Sequence, residues 1–210
     1  IKLMASKGFR YPTIRELYMF RPANADLNPE KLWSYELSYS QRLLQGQLSY
    51  GVNAFYIDGK DLIMRVPVDG RQMNVNTGKV ENAGVEAQVA YRLASAWSLD
   101  ANYSYLHMDN PVLASPEHKL YAGAAFSKGR WYVSTGCQYV AGLYTEVKVA
   151  GQGDYATEDF VLWNLRGSFR ASEWLNIWVR GENLLARKYE INAGFPMPKA
   201  TVMAGVNVRF

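Results

Sequence analysis

The chain of 210 residues holds one cysteine, Cys137, and two histidines. A single cysteine excludes an internal disulfide framework. No apolar run approaches the roughly 18 to 20 residues that a membrane-spanning helix requires. Charge of one sign is scarce as well. Lys and Arg number 23 against 19 Asp and Glu, and the net +4 is too small and scattered to indicate nucleic acid. The start has no initiator Met, no basic n-region and no apolar h-region. It opens at Ile1 inside a strand-like stretch, so it reads as a fragment whose targeting signal lies upstream.

What is present is an even mixture. Hydrophobic residues make up 49% of the chain, yet the mean hydropathy is −0.23, so apolar side chains are dispersed among polar ones. Aromatics are abundant, with 15 Tyr, 8 Phe and 6 Trp. A chain of this kind meets lipid only as a closed barrel, because open sheet edges leave backbone groups unsatisfied there.

Period-two alternation recurs along most of the sequence and predicts strands with chemically different faces. At the end, Ala200, Val202, Ala204, Val206, Val208 and Phe210 share one face, and Thr201, Met203, Asn207 and Arg209 the other. Leu175, Ile177 and Val179 oppose Asn176, Trp178 and Arg180. Trp97, Leu99, Tyr103 and Tyr105 oppose Ser98, Asp100, Asn102 and Ser104. Val85, Ala87, Val89 and Tyr91 oppose Glu86, Gln88 and Arg92. Counted from Lys2–Ser6 onward, the pattern predicts about ten strands. Tight turns fall near Leu44-Gln45-Gly46, Leu93-Ala94-Ser95, Lys128-Gly129 and Ala171-Ser172-Glu173. Longer connections run over 8–31, 59–70, 110–117, 144–158 and 186–198. Short and long connections alternate, which is the layout of an outer-membrane β-barrel with short periplasmic turns and longer extracellular loops. The C-terminus is then expected on the periplasmic side. Tyr39, Tyr91, Trp97, Phe126, Trp131, Phe169 and Phe210 lie beside the tight turns, as an interfacial girdle requires. A soluble β-sandwich also alternates, but its strands are shorter and it gives no reason for one end to carry every long loop.

Several segments look familiar together. Phe9-Arg10-Tyr11-Pro12 followed by Arg15-Glu16-Leu17 resembles the "FRAP…EL" segment of TonB-dependent receptors. Asp26-Leu27-Asn28-Pro29-Glu30 with Ser34-Tyr35-Glu36-Leu37 resembles their "NPxLxPE…SYELG" segment. Val80-Glu81-Asn82-Ala83-Gly84-Val85-Glu86 resembles the beginning of an "N.G.E" strand. Glu182-Asn183-Leu184 with Tyr189 resembles "eNLfdkkY", and Phe210 the terminal aromatic. Tyr11 stands where the family usually has Ala, and the spacing of Asp26–Glu30 departs from the family's. The resemblance implies an all-β, antiparallel transmembrane barrel of roughly 22 strands, with residues 1–210 as its C-terminal portion. It implies a plug N-terminal to the barrel, energy from the TonB–ExbB–ExbD complex, contact with outer-membrane lipids, and a surface lipoprotein as a further partner. The ligand is a small molecule of the siderophore or cobalamin class, taken up without chemistry and without a cofactor. A glycan importer of the SusC kind fits less well. A complete ten-stranded barrel acting as an enzyme or adhesin is the alternative.

Candidate recognition residues lie in the long loops: Tyr11, Tyr18, Phe20 and Arg21 in the first, Tyr144 and Tyr155 in a later one. Exposed aromatics beside an Arg suit a large, partly planar ligand through stacking and cation–π contact. The blander role is packing of loops against one another. His107, Asp109, Glu117 and His118 flank one loop without the spacing of a known metal site. No histidine lies in the first loop, which disfavours haem. Cys137 shares the outward face of Val133, Thr135 and Tyr139 and is expected to meet lipid.

Overall fold

The computed structural model describes residues 1–93, 95–146 and 156–210. In chain order the strands are β1 (Lys2–Arg10), β2 (Glu30–Leu43), β3 (Leu48–Val68), β4 (Arg71–Leu93), β5 (Trp97–Met108), β6 (Pro116–Lys128) and β7 (Trp131–Glu146). There follow β8 (Ala156–Arg170), β9 (Leu175–Glu182), β10 (Glu190–Asn192), β11 (Phe195–Pro196) and β12 (Thr201–Val208). One short helix, α1 (Ile14–Leu17), lies between β1 and β2. Strands β1 to β9 and β12 form a ten-stranded sheet in which neighbours in sequence are neighbours in space, while β10 and β11 pair separately. In the order of that sheet β1 stands first and β12 last. Such an up-and-down meander is part of a barrel wall.

Register carries the two-faced pattern across the strands. Tyr103 faces Leu120, Leu120 faces Tyr139, and Tyr139 faces Val161. Phe169 faces Ile177, which faces Val206. On the other face Asp100 pairs with Gly123, Gly123 with Gly136, and Gly136 with Asn164. Each antiparallel partner keeps the parity of its neighbour, so one apolar and one polar face result. The apolar face is uncovered by protein: Val179 is 49% exposed and Val206 61%. Among the described residues no large side chain is fully buried, and the core cluster is only Val140, Leu143 and Phe160, with Leu162, Tyr189 and Ile191 around it. A wall with lipid on one side and a polar lumen on the other has no need of a thicker core.

Aromatic pairs sit beside the tight turns. Trp97 lies 4.9 Å from Phe126 and Trp131 4.5 Å from Phe169, measured between rings. Tyr39 and Tyr50, 6.0 Å apart, both donate to Gln41 Oε1, at 2.7 and 2.6 Å. Farther along β2, Trp33 stacks on Tyr35 at 6.0 Å. Rings at these levels are what a membrane interface selects.

The connection expected over 59–70 is not a loop. Strand β3 continues to Val68 and β4 begins at Arg71, so only Asp69 and Gly70 turn the chain. Their φ values of 49° and 74° are those of a two-residue hairpin turn, where Gly costs least. Short and long connections therefore do not alternate without exception. Asp61, with φ of 60°, interrupts the regular pleat inside β3, and that break hides the strand from a period-two reading. Strand β1 reaches Arg10 and β2 starts at Glu30, which shortens the first loop to 11–29. The last strand is Thr201–Val208, shorter than the alternation over 199–210 suggests. The chain forms two compact units: 1–38, 53–84 and 107–110 in one, and 39–52, 85–106 and 111–210 in the other.

Candidate functional site

Loop 11–29 is built on a capped turn. Thr13 precedes α1, accepts the Glu16 N–H at 3.3 Å, and in return gives its own N–H to the Glu16 carboxylate at 2.7 Å. This reciprocal capping box satisfies two otherwise free N–H groups, those of Thr13 and Glu16. The same carboxylate accepts from Arg10 Nη1 at 3.0 Å. Arg10 Nη2 donates to Glu30 Oε1 at 2.7 Å, and Glu30 Oε1 also accepts the Ile63 N–H at 2.9 Å. One guanidinium thus ties the end of β1 to α1 and to the start of β2. The Arg10 pairing and then the Thr13 N–H hold the Glu16 carboxyl down from 4.5 to about 2. Glu30 is likewise pulled below the ordinary carboxylate range, chiefly by Arg10, whose own affinity for its proton rises.

Asparagines fasten the rest of the loop to β4. Asn24 donates from Nδ2 to the Asn74 carbonyl at 2.9 Å, and the Asn74 N–H donates to the Pro22 carbonyl at 2.8 Å. Asn28 N–H donates to Asn76 Oδ1 at 2.7 Å, while Asn76 Nδ2 reaches the carbonyls of Asn28 at 2.9 Å and Asp61 at 2.6 Å. Asn74 is buried, so each of its backbone and side-chain groups needs such a partner. Leu27, in the same loop, is buried.

What the frame presents is apolar. Tyr18 is 69% exposed and Phe20 79%. Tyr11 is also exposed, its ring edge-on to Phe9 at 5.3 Å. Arg21 is exposed beside Phe20. In the second unit, Tyr144 donates its hydroxyl to Glu117 Oε1 at 2.7 Å. Tyr155 lies outside the described residues. The loop residues expected to meet ligand are therefore spread over two separate units.

The remaining motif positions are framework. Pro12 leads into the capped turn, and Asn28, Pro29 and Glu30 belong to the fastening just described. Asn183 is buried, adopts φ of 48°, and donates from Nδ2 to the carbonyls of Arg187 at 2.8 Å and Pro198 at 3.1 Å. Its N–H donates to Asn164 Oδ1 at 2.9 Å. Leu184 packs on Gly181, where a Cβ would come within 2.6 Å of Leu184 Cδ2. Tyr189 sits 4.4 Å from Phe160 on the core cluster. Phe210 follows β12 and is exposed. His107 Nε2 lies 3.3 Å from Asp109 Oδ1, and His118 Nδ1 shares a 2.8 Å hydrogen bond with the Tyr103 hydroxyl, so the two histidines serve different partners.

Residues 2–184 match the model of the TonB dependent receptor-like β-barrel. The chain belongs to that family. It is 25% identical, over 178 residues, to the ferric-pyoverdine M114 receptor PbuA of Pseudomonas sp. (strain M114), covering 77% of this chain and 21% of the relative. It is 20% identical over 216 residues to the vitamin B12 transporter BtuB of Photobacterium profundum, covering 98% of this chain and 34% of that one. The chain thus spans about a fifth to a third of the length of the curated relatives it matches. Among solved structures, the copper transporter OprC superposes with a TM-score of 0.75 at 20% identity, over 99% of this chain and 37% of its own. The ferripyoverdine receptor of the Pseudomonas aeruginosa outer membrane gives 0.74 at 18%, over 97% and 30%. These superpositions establish the fold. In this TonB-dependent receptor barrel, Arg10, Glu16, Glu30, Asn183 and Tyr189 hold the ends of strands and the connections between them.

Sequence reasoning missed Asn74 and Asn76, which lie 50 and 48 residues from Asn24 and Asn28. No local pattern marks such a pairing. The Thr13…Glu16 capping box was readable as T-x-x-E.

Proposed function

We propose that the chain is the C-terminal part of the barrel of an outer-membrane receptor that takes up a scarce ligand of the iron-siderophore or cobalamin class. A plug and the first strands belong to the parent protein N-terminal to this segment, and the C-terminus faces the periplasm. Ligand binds at the outer mouth, the plug rearranges under TonB–ExbB–ExbD, and no covalent bond is made. The observation that carries the reading is the family match over residues 2–184, joined to a mouth loop whose exposed Tyr18, Phe20 and Arg21 stand on a hydrogen-bonded frame. The names of PbuA and BtuB supply the two ligand classes. A surface lipoprotein remains a compatible partner. The rival is a complete ten-stranded barrel with enzymatic or adhesive activity.

The test replaces Tyr18, Phe20 and Arg21 together by Ala in the full-length receptor. The frame does not use these side chains, so surface expression should hold. Loss of an aromatic stack and a cation–π contact, at about 0.5 to 2 kcal/mol each, weakens binding roughly five- to several-hundred-fold. Uptake of a labelled ferric siderophore and of labelled cobalamin is measured at limiting ligand. Unchanged uptake of both removes the loop from the site. Uptake that survives de-energising the inner membrane removes the TonB-dependent mechanism.

A further inference from the structure

The tip of loop 11–29 is closed at its base by Asn24. The Asn24 backbone N–H donates to the Glu16 carbonyl at 2.9 Å, so residues 16–24 form a closed turn on α1. The Asn24 side chain has partners of its own. Nδ2 donates to the Asn74 carbonyl at 2.9 Å, and Oδ1 accepts the Asp26 N–H at 2.9 Å. The Asn74 N–H in turn donates to the Pro22 carbonyl at 2.8 Å. Asn74 of β4 is therefore held through both its N–H and its C=O, as a hydrogen-bonded residue of an antiparallel ladder is. The backbone supplies one N–H per residue, and that of Asn24 is committed to Glu16. The side-chain amide supplies a second donor, which lets one residue both close the tip and dock it on β4.

The closed turn carries strain. Phe20 has φ of 59°, in the left-handed region that a bulky side chain rarely enters. Such a conformation persists only where its surroundings over-determine it, and it concentrates at ligand clamps. The Phe20 ring is 79% exposed, so its own packing does not hold this backbone. What holds it is the base of the turn: the Ala23 N–H donates to the Phe20 carbonyl at 2.8 Å, and the next residue is the docked Asn24. We infer that Asn24 is a positioning residue for ligand: docked on Asn74, it keeps the turn in the conformation that presents Phe20, with Tyr18 and Arg21 beside it. The inference rests on the receptor reading and adds to it the residue through which β4 sets the affinity of the tip.

Asn24→Asp is isosteric, keeps the acceptor for Asp26 and the backbone N–H for Glu16, and removes only the donor to Asn74. A carboxylate then faces the Asn74 carbonyl, which weakens docking about ten-fold. Ligand binds the docked loop, so affinity falls by up to that factor. Dissociation constants of ferric pyoverdine and cyanocobalamin, one probe for each ligand class, are measured on the full-length receptor in detergent. The proteins are wild type, Asn24→Asp, Tyr18→Ala/Phe20→Ala/Arg21→Ala, and the combination of all four changes. Asn24→Asp should weaken the probe that wild type binds about five- to ten-fold. With the tip already replaced by Ala it should change binding less than about two-fold, because nothing is left to position. Amide exchange at Asn74, whose N–H bonds Pro22, reports undocking. Thermal melting reports folding, and Asn24→Ala replaces Asn24→Asp where melting falls. Unchanged binding by the Asn24 variant overturns the inference, whether or not the Asn74 amide loses protection. An equal loss with and without the tip side chains overturns it too, since Asn24 then acts by another route. A tip variant that binds like wild type removes the tip from the ligand site, and the inference with it, while leaving the uptake reading. A wild type that binds neither probe removes the ligand classes as well.

Discussion

Arg10→Met keeps the length and apolar stem of the side chain and deletes the guanidinium that serves Glu16 and Glu30. Four of its donor contacts to these carboxylates lie between 2.7 and 3.2 Å. The Arg10 side chain is 45% exposed and its partners 25% and 15%, so water screens part of the interaction. A charged hydrogen bond is worth about 1.5 to 3 kcal/mol where desolvated, and an exposed ion pair under about 1. For this half-exposed fork we expect about 1 to 2 kcal/mol, or roughly a five- to thirty-fold rise in local opening. The loss should be local, because the sheet's own hydrogen bonds do not pass through Arg10. Amide exchange in the full-length receptor reads it directly. The Asn24 N–H, bonded to the Glu16 carbonyl at 2.9 Å, and the Leu17 N–H, bonded to the Thr13 carbonyl at 3.0 Å, should lose protection by that factor. Amides of β12 should not change. The wild-type frame has a matching pH dependence. The Glu16 carboxyl is held at about 2 against an ordinary 4.5, so its contribution is complete above about 4.5 and lost as pH falls toward 2. Unchanged protection at Asn24 and Leu17, or an equal loss in β12, refutes the account of Arg10 as the tie of this loop.

Two further substitutions test the wall. Val206→Arg places a charge on the uncovered apolar face and should cost about 2 to 4 kcal/mol near the bilayer midplane, while Asn207→Arg on the polar face is tolerated. Urea unfolding of the receptor in lipid compares the two, and similar costs would overturn the assignment of faces. Gly205→Ala brings a Cβ within 2.7 Å of the Trp178 ring, so the indole must move, at about 1 to 3 kcal/mol. A melting temperature unaltered by that change would mean that Trp178 has room to spare.

The sheet was legible because lipid and lumen select opposite chemistry at alternate residues. Tyr103, Leu120, Tyr139 and Val161 follow the same parity in sequence and meet in register. The extension of β3 and β4 was not, although Asp69-Gly70 is a strong hairpin signal in itself. Pro67 and Gly59 are loop-favouring residues inside 59–70, and the left-handed backbone at Asp61 breaks the pleat there. The hairpin of β10 and β11 is two to three residues a strand, below what any periodicity marks. The site was half legible. Residue types in loop 11–29 announced exposed rings, but the Asn24–Asn74 and Asn28–Asn76 fastenings exist only once the chain has folded.

The fastening of loop 11–29 separates its frame from its tip. Arg10, Thr13, Glu16, Asn24 and Asn28 commit hydrogen-bonding groups to the protein, whereas the side chains of Tyr18, Phe20 and Arg21 take no part in the frame. The tip is therefore an exchangeable cassette. On the proposed function, its residues are free to diverge under pressure from a new ligand without unfolding the loop that carries them. On that reading a specificity change here needs two or three substitutions rather than a redesigned loop, and libraries confined to residues 18–21 sample it while leaving the barrel untouched.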